Sequence, residues 1–318
     1  MKVKNNVLCG LITLHIELFF YLLRKNKYEY FYFVKYNLYM PELPEVRTVV
    51  KHMSKRLKNL EVEDIDIRLN KILKGITLSE FKTRLIGKKI LNIDNEGKWI
   101  IIHFEDDNNV LVHLRLEGKF RTSHVEGVNK QHDHIIFTFT NGSKLYFNDT
   151  RQFGTFYLLG KNYMNKKPIS KLGRTLKDLD VDWLFNKLSK KRIPIKSSML
   201  DQAIVIGLGN IYINEALWAI KLNPEIPSNK VSKIKLKELI KVSYNIMEES
   251  YRMGGSSIAT YSSLDGLRGN YQNKLEVHGK KGKPCSVCGI LIDKIKVGGR
   301  GTYYCPSCQK GEKWRIEQ

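Results

Sequence analysis

From residue 61 the chain alternates apolar and polar positions in short runs, and beyond residue 180 it changes to the three-to-four spacing of helices. Runs at Glu61–Arg68, Lys89–Ile93, Trp99–Phe104, Val110–Leu116, Ile135–Thr140, Ser143–Phe147 and Phe153–Leu159 are rich in β-branched and aromatic residues and are predicted as strands. Asn141-Gly142, between two of them, signals a tight hairpin, because its favoured turn needs positive φ at both central residues. Strands in succession, without helices between them, predict a two-sheet sandwich or flattened barrel rather than a parallel sheet. Ahead of them, the stripe Val46, Val49, Val50, Met53 and Leu57 predicts a helix opening at Pro44, with Glu45 an acid in its first turn. Val181–Lys190, Ile195–Ile206, Ile211–Ile220 and Lys233–Arg252 read as helices, with Gly207-Leu208-Gly209 a tight turn before the third. Gly160–Arg174, rich in Lys, Asn and Gly, reads as the link between a strand-rich and a helical half. The fold class is α+β.

The cysteines add a third module. Cys285-Ser-Val-Cys288 and Cys305-Pro-Ser-Cys308 have the spacing of a four-thiolate zinc site. Two disulfides are the alternative, which would need an oxidising compartment that nothing else in the chain suggests; the remaining cysteine, Cys9, is isolated. Between the pairs, Ile290–Val297 alternates and then turns through Gly298-Gly299-Arg300-Gly301, a hairpin with one arginine at a glycine-rich tip. Zinc held by four cysteines is structural, since no position is left for water.

Charge changes the picture again. The 318 residues carry 54 Lys and Arg against 32 Asp and Glu, a formal +22, which calls for a polyanionic partner. Part of that excess is also what a Lys-, Asn-, Ile- and Tyr-rich composition from an AT-rich genome would produce. Met40-Pro-Glu-Leu-Pro-Glu45 places a carboxylate beside a proline that becomes an amine nucleophile if Met40 initiates and is removed. An α-amino group titrates near about 8 and a lysine near about 10.4, so such an amine is far more nucleophilic at neutral pH. By themselves these residues read more readily as a plain helix start than as a nucleophile.

Taken with the ends, the motifs Glu96-Gly-Lys98-Trp99, His113-Leu-Arg-Leu-Glu-Gly118, His132-Asp-His134, Asp149-Thr-Arg-Gln-Phe-Gly154, Gly207–Tyr212, Gly254-Gly-Ser-Ser257 and Val297–Thr302 run in one order along the chain. In that order the chain resembles the formamidopyrimidine-DNA glycosylases of the helix-two-turn-helix superfamily, from Met40 to just past Cys308. The resemblance implies an N-terminal β-sandwich domain over 40–172, a helix-two-turn-helix domain over 173–279 with a mobile lesion-capping loop at 256–272, and a zinc hairpin over 280–318.

It also implies roles. Pro41 would attack C1′ of a damaged nucleotide and Glu42 would act as general acid/base, with Lys98 binding a flanking phosphate and Arg300 clamping phosphate in the second elimination. Taken alone, Lys98 is a surface lysine and Arg300 a turn residue. Asn210 would meet the DNA backbone, or cap a helix, or both. His132, Arg151 and Lys191 would hold the strand, with Lys190-Lys191-Arg192 and Lys196 as a phosphate-binding face or simply a solvated one. Leu116, Arg151 and Phe153 match the trio that fills the gap left by an extruded base. Leu116 departs from the usual methionine, Gln152 from a basic residue, and Ala259 from arginine.

The expected function is base-excision repair of oxidised purines in double-stranded DNA, with a Schiff base on Pro41 and β,δ-elimination of the abasic site. Alternatives are the sister enzyme for oxidised pyrimidines, favoured less because of Leu43 and the Asp149–Gly154 motif, and a non-catalytic zinc-containing DNA-binding protein. No small-molecule cofactor and no membrane partner are expected, and the family expectation is a bacterial, cytoplasmic, nucleoid-associated monomer. Residues 1–39, with an apolar run Leu8–Leu23 broken by His15 and Glu17, are expected to lie outside the working enzyme.

Overall fold

The computed structural model describes residues 40–122, 128–257, 264–266 and 268–310. The 1–39 extension and, within the Ser256–Gln272 segment, residues 258–263 and 267, Ala259 among them, lie outside the described residues.

Helix α1 (Leu43–Leu57) opens one residue before the expected Pro44, which sits in its first turn, where no intrahelical donor is needed, and its buried stripe is Val46, Val49, Met53 and Leu57. Strands β1 (Val62–Ile67), β6 (Asp133–Phe139), β7 (Lys144–Asn148) and β5 (Lys119–Arg121) form one sheet in the order β1-β6-β7-β5. Strands β2 (Ile90–Glu96), β3 (Trp99–Phe104), β4 (Asn109–His113) and β8 (Thr155–Leu159) form the other, β2-β3-β4-β8, and all pairings are antiparallel. One core joins the sheets to α1 through Ile65, Ile93, Ile100, Ile102, Val112, Phe137, Phe147 and Phe156. The sandwich follows from the alternation in the sequence. Two elements were not anticipated: the three-residue β5, and α2 (Leu78–Leu85), whose start is marked by Thr77 accepting the Glu80 N–H at 3.2 Å and which buries Phe81 and Leu85.

Two further departures have a physical cause. β3 is apolar on nearly every position, so its outer face also needs cover. The Gly160–Arg174 stretch provides it: Ile169 is buried against Trp99, Ile101 and Leu111, and the stretch is packed structure rather than a free linker. The helix expected over Ile195–Ile206 is only α4 (Ile195–Met199), because the Asp201 carboxylate accepts the Ala203 N–H at 3.0 Å and turns the chain. Residues beyond it pair instead with Gly173 and Arg174.

The helical half adds α3 (Val181–Leu188), α5 (Asn210–Ala219) and α6 (Lys233–Arg252). Glu215 on α5 accepts the N–H groups of Glu276, Val277 and His278 at 2.7, 3.0 and 2.7 Å and so ties the cysteine module to that helix. In the module, β9 (Asp293–Val297) and β10 (Arg300–Tyr304) are joined by Gly298-Gly299 alone, both at positive φ. Arg300 therefore begins a strand, paired with Val297, instead of sitting within a four-residue tip. No helix among the described residues is long and apolar enough to cross a membrane.

Candidate active site at the N-terminus of helix α5

Four segments far apart in sequence meet where α5 begins. Leu43 N–H donates to Gly207 O at 3.2 Å, Lys98 Nζ to Leu208 O at 3.0 Å, Ile211 N–H to Glu42 Oε1 at 2.8 Å, and Asn210 Nδ2 to Gly301 O at 3.0 Å. Pro41 and Glu42 are both buried, just ahead of α1. Gly209 makes this approach possible: a Cβ there would lie 2.1 Å from the Glu42 carboxyl carbon. Gly207, at φ +85°, lets the turn double back on Leu43.

The Glu42 carboxylate sits on the exposed amides of a helix start, which favours its charge. Burial works against this and dominates, so its pKa rises to about 7, with the Lys98 charge opposing and Glu45 reinforcing the rise. Lys98 is partly buried; burial and the Arg300 charge hold its ammonium below the ordinary lysine value, while Glu42 pulls it back. A buried acid pushed up and a lysine pushed down, side by side, form a pair that can pass a proton near neutral pH.

Glu45 is more than a first-turn acid. Its carboxylate accepts the Glu42 N–H at 2.9 Å, the Ser256 N–H at 2.7 Å and the Tyr212 hydroxyl, tying α1, α5 and the end of α6 together. The sequence offered no sign of this beyond the Glu42/Glu45 spacing. His113, buried beside Trp99, accepts the Arg115 N–H on Nδ1 at 3.0 Å, and burial lowers its pKa to about 3, so it is neutral.

Lys196 corrects the expected phosphate-binding face. It is fully buried, donates to Thr302 Oγ1 at 2.6 Å and Gly301 O at 3.2 Å, and burial drops its pKa to about 7. Lys196 and Asn210 thus share one carbonyl of the hairpin and set where Arg300, which is exposed, stands. Asn210 is the first residue of α5 and Gly209 its cap, so Asn210 is not a cap; its Oδ1 is buried without a partner among the described residues. Lys191 Nζ lies 3.9 Å from the Asp201 carboxylate.

The remaining residues gather at one end of the β2-β3-β4-β8 sheet. Gly97-Lys98 turns β2 into β3, Leu116 lies in the turn after β4, and Phe153 precedes β8; the pairs Glu96↔Trp99, Trp99↔His113 and His113↔Thr155 put all three turns at the same edge. Gly118 and Gly154 both approach the end of the Phe147 ring, bringing the Leu116 and Phe153 turns together. Phe153 is 49 % exposed, with the Arg151 guanidinium 4.8 Å over its ring, and Arg151 Nη1 is buried with no hydrogen-bond partner among the described residues. His132 joins this end through its carbonyl, which accepts the Asp149 N–H at 3.0 Å.

The four cysteine sulfurs lie within 4.8 Å of one another, with Cys288–Cys305 at 3.4 Å and Cys285–Cys308 at 3.9 Å. Sulfurs at a zinc–sulfur distance of about 2.3 Å sit about 3.8 Å apart in a tetrahedron, so the cluster fits one structural zinc. Beneath it, Val277, Ile292 and Tyr303 form a core too small to hold the hairpin alone. Cys305→Ser should therefore release zinc and weaken DNA binding at least about 100-fold while the sandwich stays folded; tight binding by zinc-free protein, measured by metal content and gel shift, would contradict this.

Similarity to known proteins places the chain in a family. Three family profiles match in order: formamidopyrimidine-DNA glycosylase N-terminal domain over residues 40–156, formamidopyrimidine-DNA glycosylase H2TH domain over 172–262, and the zinc finger found in FPG and IleRS over 282–311. The formamidopyrimidine-DNA glycosylases of Mycoplasma mobile and Mycoplasmopsis pulmonis are 43% identical over 272 residues and 45% over 275, covering 85% of this chain and 99% and 98% of theirs. The wild-type Lactococcus lactis Fpg (MutM) in complex with N7-benzyl-Fapy-dG DNA superposes with a TM-score of 0.79 at 36% identity, over 85% of this chain and all of that one. Its complex with abasic-site DNA gives 0.80 at 36% identity, with the same coverage. With the three domains in order and the relatives matched over almost their whole length, this chain belongs to the formamidopyrimidine-DNA glycosylase family, DNA glycosylases of base-excision repair.

Proposed function

We propose that the protein excises oxidised purines from duplex DNA and then cleaves the abasic site, working as a monomer with Pro41 as nucleophile. The observation that carries this reading is the seating of Glu42 on the start of α5, next to Pro41 and within the field of Lys98, which in turn feels the Arg300 charge. The Lactococcus lactis relative is bound in its crystals to Fapy-dG-containing DNA, which supports the purine assignment. The secondary amine of Pro41, freed by removal of residues 1–40, attacks C1′; the N-glycosidic bond breaks, the base leaves with a proton, and the sugar ring opens to an iminium on Pro41. Glu42 gives and takes the sugar protons. Lys98 and Arg300 hold the flanking phosphates through β- and δ-elimination, and Arg300 suits the second because its planar guanidinium grips two oxygens. Asn210, His132, Arg151 and Lys191 hold the backbone. Leu116, Arg151 and Phe153 fill the gap left by the extruded base, consistent with their meeting at one sheet end with an exposed ring and an unpartnered guanidinium nitrogen.

The pH profile tests the acid/base assignment. The Pro41 amine must be neutral, which is gained as pH rises toward about 8. Glu42 must carry its proton, which is lost as pH rises through about 7. Excision is therefore expected to peak between about 7 and 8 and to fall on both sides. Glu42→Gln should remove the alkaline limb along with at least about 100-fold of single-turnover rate. A Glu42→Gln enzyme with the wild-type profile would exclude Glu42 as the acid.

A further inference from the structure

Helix α5 begins at the candidate active site and ends at the cysteine cluster. Its first residue, Asn210, donates to Gly301 O of β10, and in its last turn the Trp218 indole N–H donates to Cys285 Sγ at 3.5 Å. Strand β10 starts at Arg300 and runs straight into Cys305. Ten residues of helix rise about 15 Å and five residues of strand span about 17 Å, so the two elements are matched in length. The strand that carries Arg300 is thus tied to α5 directly near its first residue, and through the cysteines beyond its last.

Trp218 and Glu215, three residues apart, lie on one face of α5, and Glu215 is the side chain that already accepts three amides of the module. The indole is half-buried against the small core of Val277, Cys285, Ile292 and Tyr303. An indole nitrogen donates and cannot accept, and it buries well only where that N–H finds a partner; here the partner is a sulfur. The second cysteine pair is fastened to the same end of the helix by Gln309, which is buried, accepts the Cys305 N–H on Oε1 at 2.9 Å and donates from Nε2 to Leu222 O, just past α5, at 2.9 Å. Gln309 acts through backbone groups, Trp218 on a metal-binding atom.

We infer that Trp218 is a positioning residue for the zinc centre: its indole N–H holds the Cys285 thiolate against the last turn of α5 and makes the module retain its metal more tightly. Four thiolates around one divalent cation leave a net negative charge, and two of the four, Cys285 and Cys305, are buried from water. A donor facing a sulfur spreads that charge and fixes the orientation of the ligand, and such outer partners are typically worth about 10- to 100-fold in metal affinity. The cysteine turns supply donors of their own, as where the Cys308 N–H meets Cys305 Sγ at 3.3 Å. Trp218 differs in reaching in from the helical half, so that retention of zinc and the seat of Arg300 depend on the same helix.

The test measures zinc affinity of the full chain by competition with a chromogenic chelator. Trp218→Phe should bind zinc about 10- to 100-fold more weakly than wild type. Replacing Trp218 alone with its benzothiophene analogue, which keeps the bicyclic shape and has a ring sulfur where the N–H was, should lose as much. A benzothiophene variant that holds zinc like wild type would show that the ring acts by packing alone, and would overturn the inference. The hydrogen bond itself is read in wild-type protein reconstituted with NMR-active cadmium in place of zinc. Of the indole protons of the four tryptophans, one should show scalar coupling to the metal through N–H···S, and it should be the signal that Trp218→Phe removes. Should Trp218→Phe not fold, the wild-type spectrum decides alone: no indole proton coupled to cadmium would overturn the inference.

Discussion

Protein beginning at Pro41 should become covalently linked to 8-oxoguanine DNA under borohydride, whereas the 1–318 chain should bind the same DNA and form no adduct. In the longer chain the Pro41 nitrogen is acylated by Met40, a tertiary amide whose lone pair is delocalised into the carbonyl and which has no proton. It cannot attack C1′, and nothing downstream of the imine can follow. The loss should be on the order of 10⁴-fold or more in single-turnover excision, the scale seen when a nucleophile is removed. Binding should survive, because the groups proposed to touch DNA, Asn210, Arg151, Phe153 and Arg300, do not depend on the terminal amine. Pro41 is buried ahead of α1 and Leu43 is tied to Gly207, so the position of the proposed nucleophile is set by the fold and its reactivity would be set by the chain end. Equal trapping by the two forms, with intact mass confirmed, would show that Pro41 is not the nucleophile.

The second large effect should come from a single methyl group. Gly209→Ala puts a Cβ 2.1 Å from the Glu42 carboxyl carbon and 2.4 and 2.5 Å from its oxygens. The backbone of Gly209, at φ −135°, suits alanine, so the whole effect comes from this contact. The carboxylate must leave the Ile211 amide, and with it goes the geometry beside Pro41. A displacement of about 1 Å costs about 10² in rate, and overpacking costs about 1–3 kcal/mol in stability. Adding Glu42→Ala removes the clash, so the double variant should regain most of the stability and none of the activity, a coupling that thermal melts of the four proteins would resolve. Additive stability losses would mean that Gly209 serves some purpose other than admitting Glu42.

Why these residues matter was only partly written in the chain. Local periodicity determined the seven main strands of the sandwich, the stripe of α1, the limits of α6 at Lys233 and Arg252, and the two-strand hairpin between the cysteine pairs, because each depends on neighbours two to four residues away. The cysteine spacing and the ordered motifs likewise marked a structural zinc and a family. The short β5 and α2 were missed because a few residues carry too little pattern.

Tertiary structure decided everything that turns on distant partners. Lys196 belongs by sequence to a basic cluster, yet it is buried because Thr302, 106 residues on, offers an acceptor. Glu45 passes for an ordinary first-turn acid until Ser256 and Tyr212 arrive from 211 and 167 residues away. The Gly160–Arg174 stretch becomes packed structure only because β3 exposes an apolar outer face, and the Thr122 N–H finds its acceptor only on Asp265, 143 residues away. A side chain's local pattern fixes which way its backbone runs; whether its charge meets water, an amide or another charge depends on what the rest of the fold brings to it.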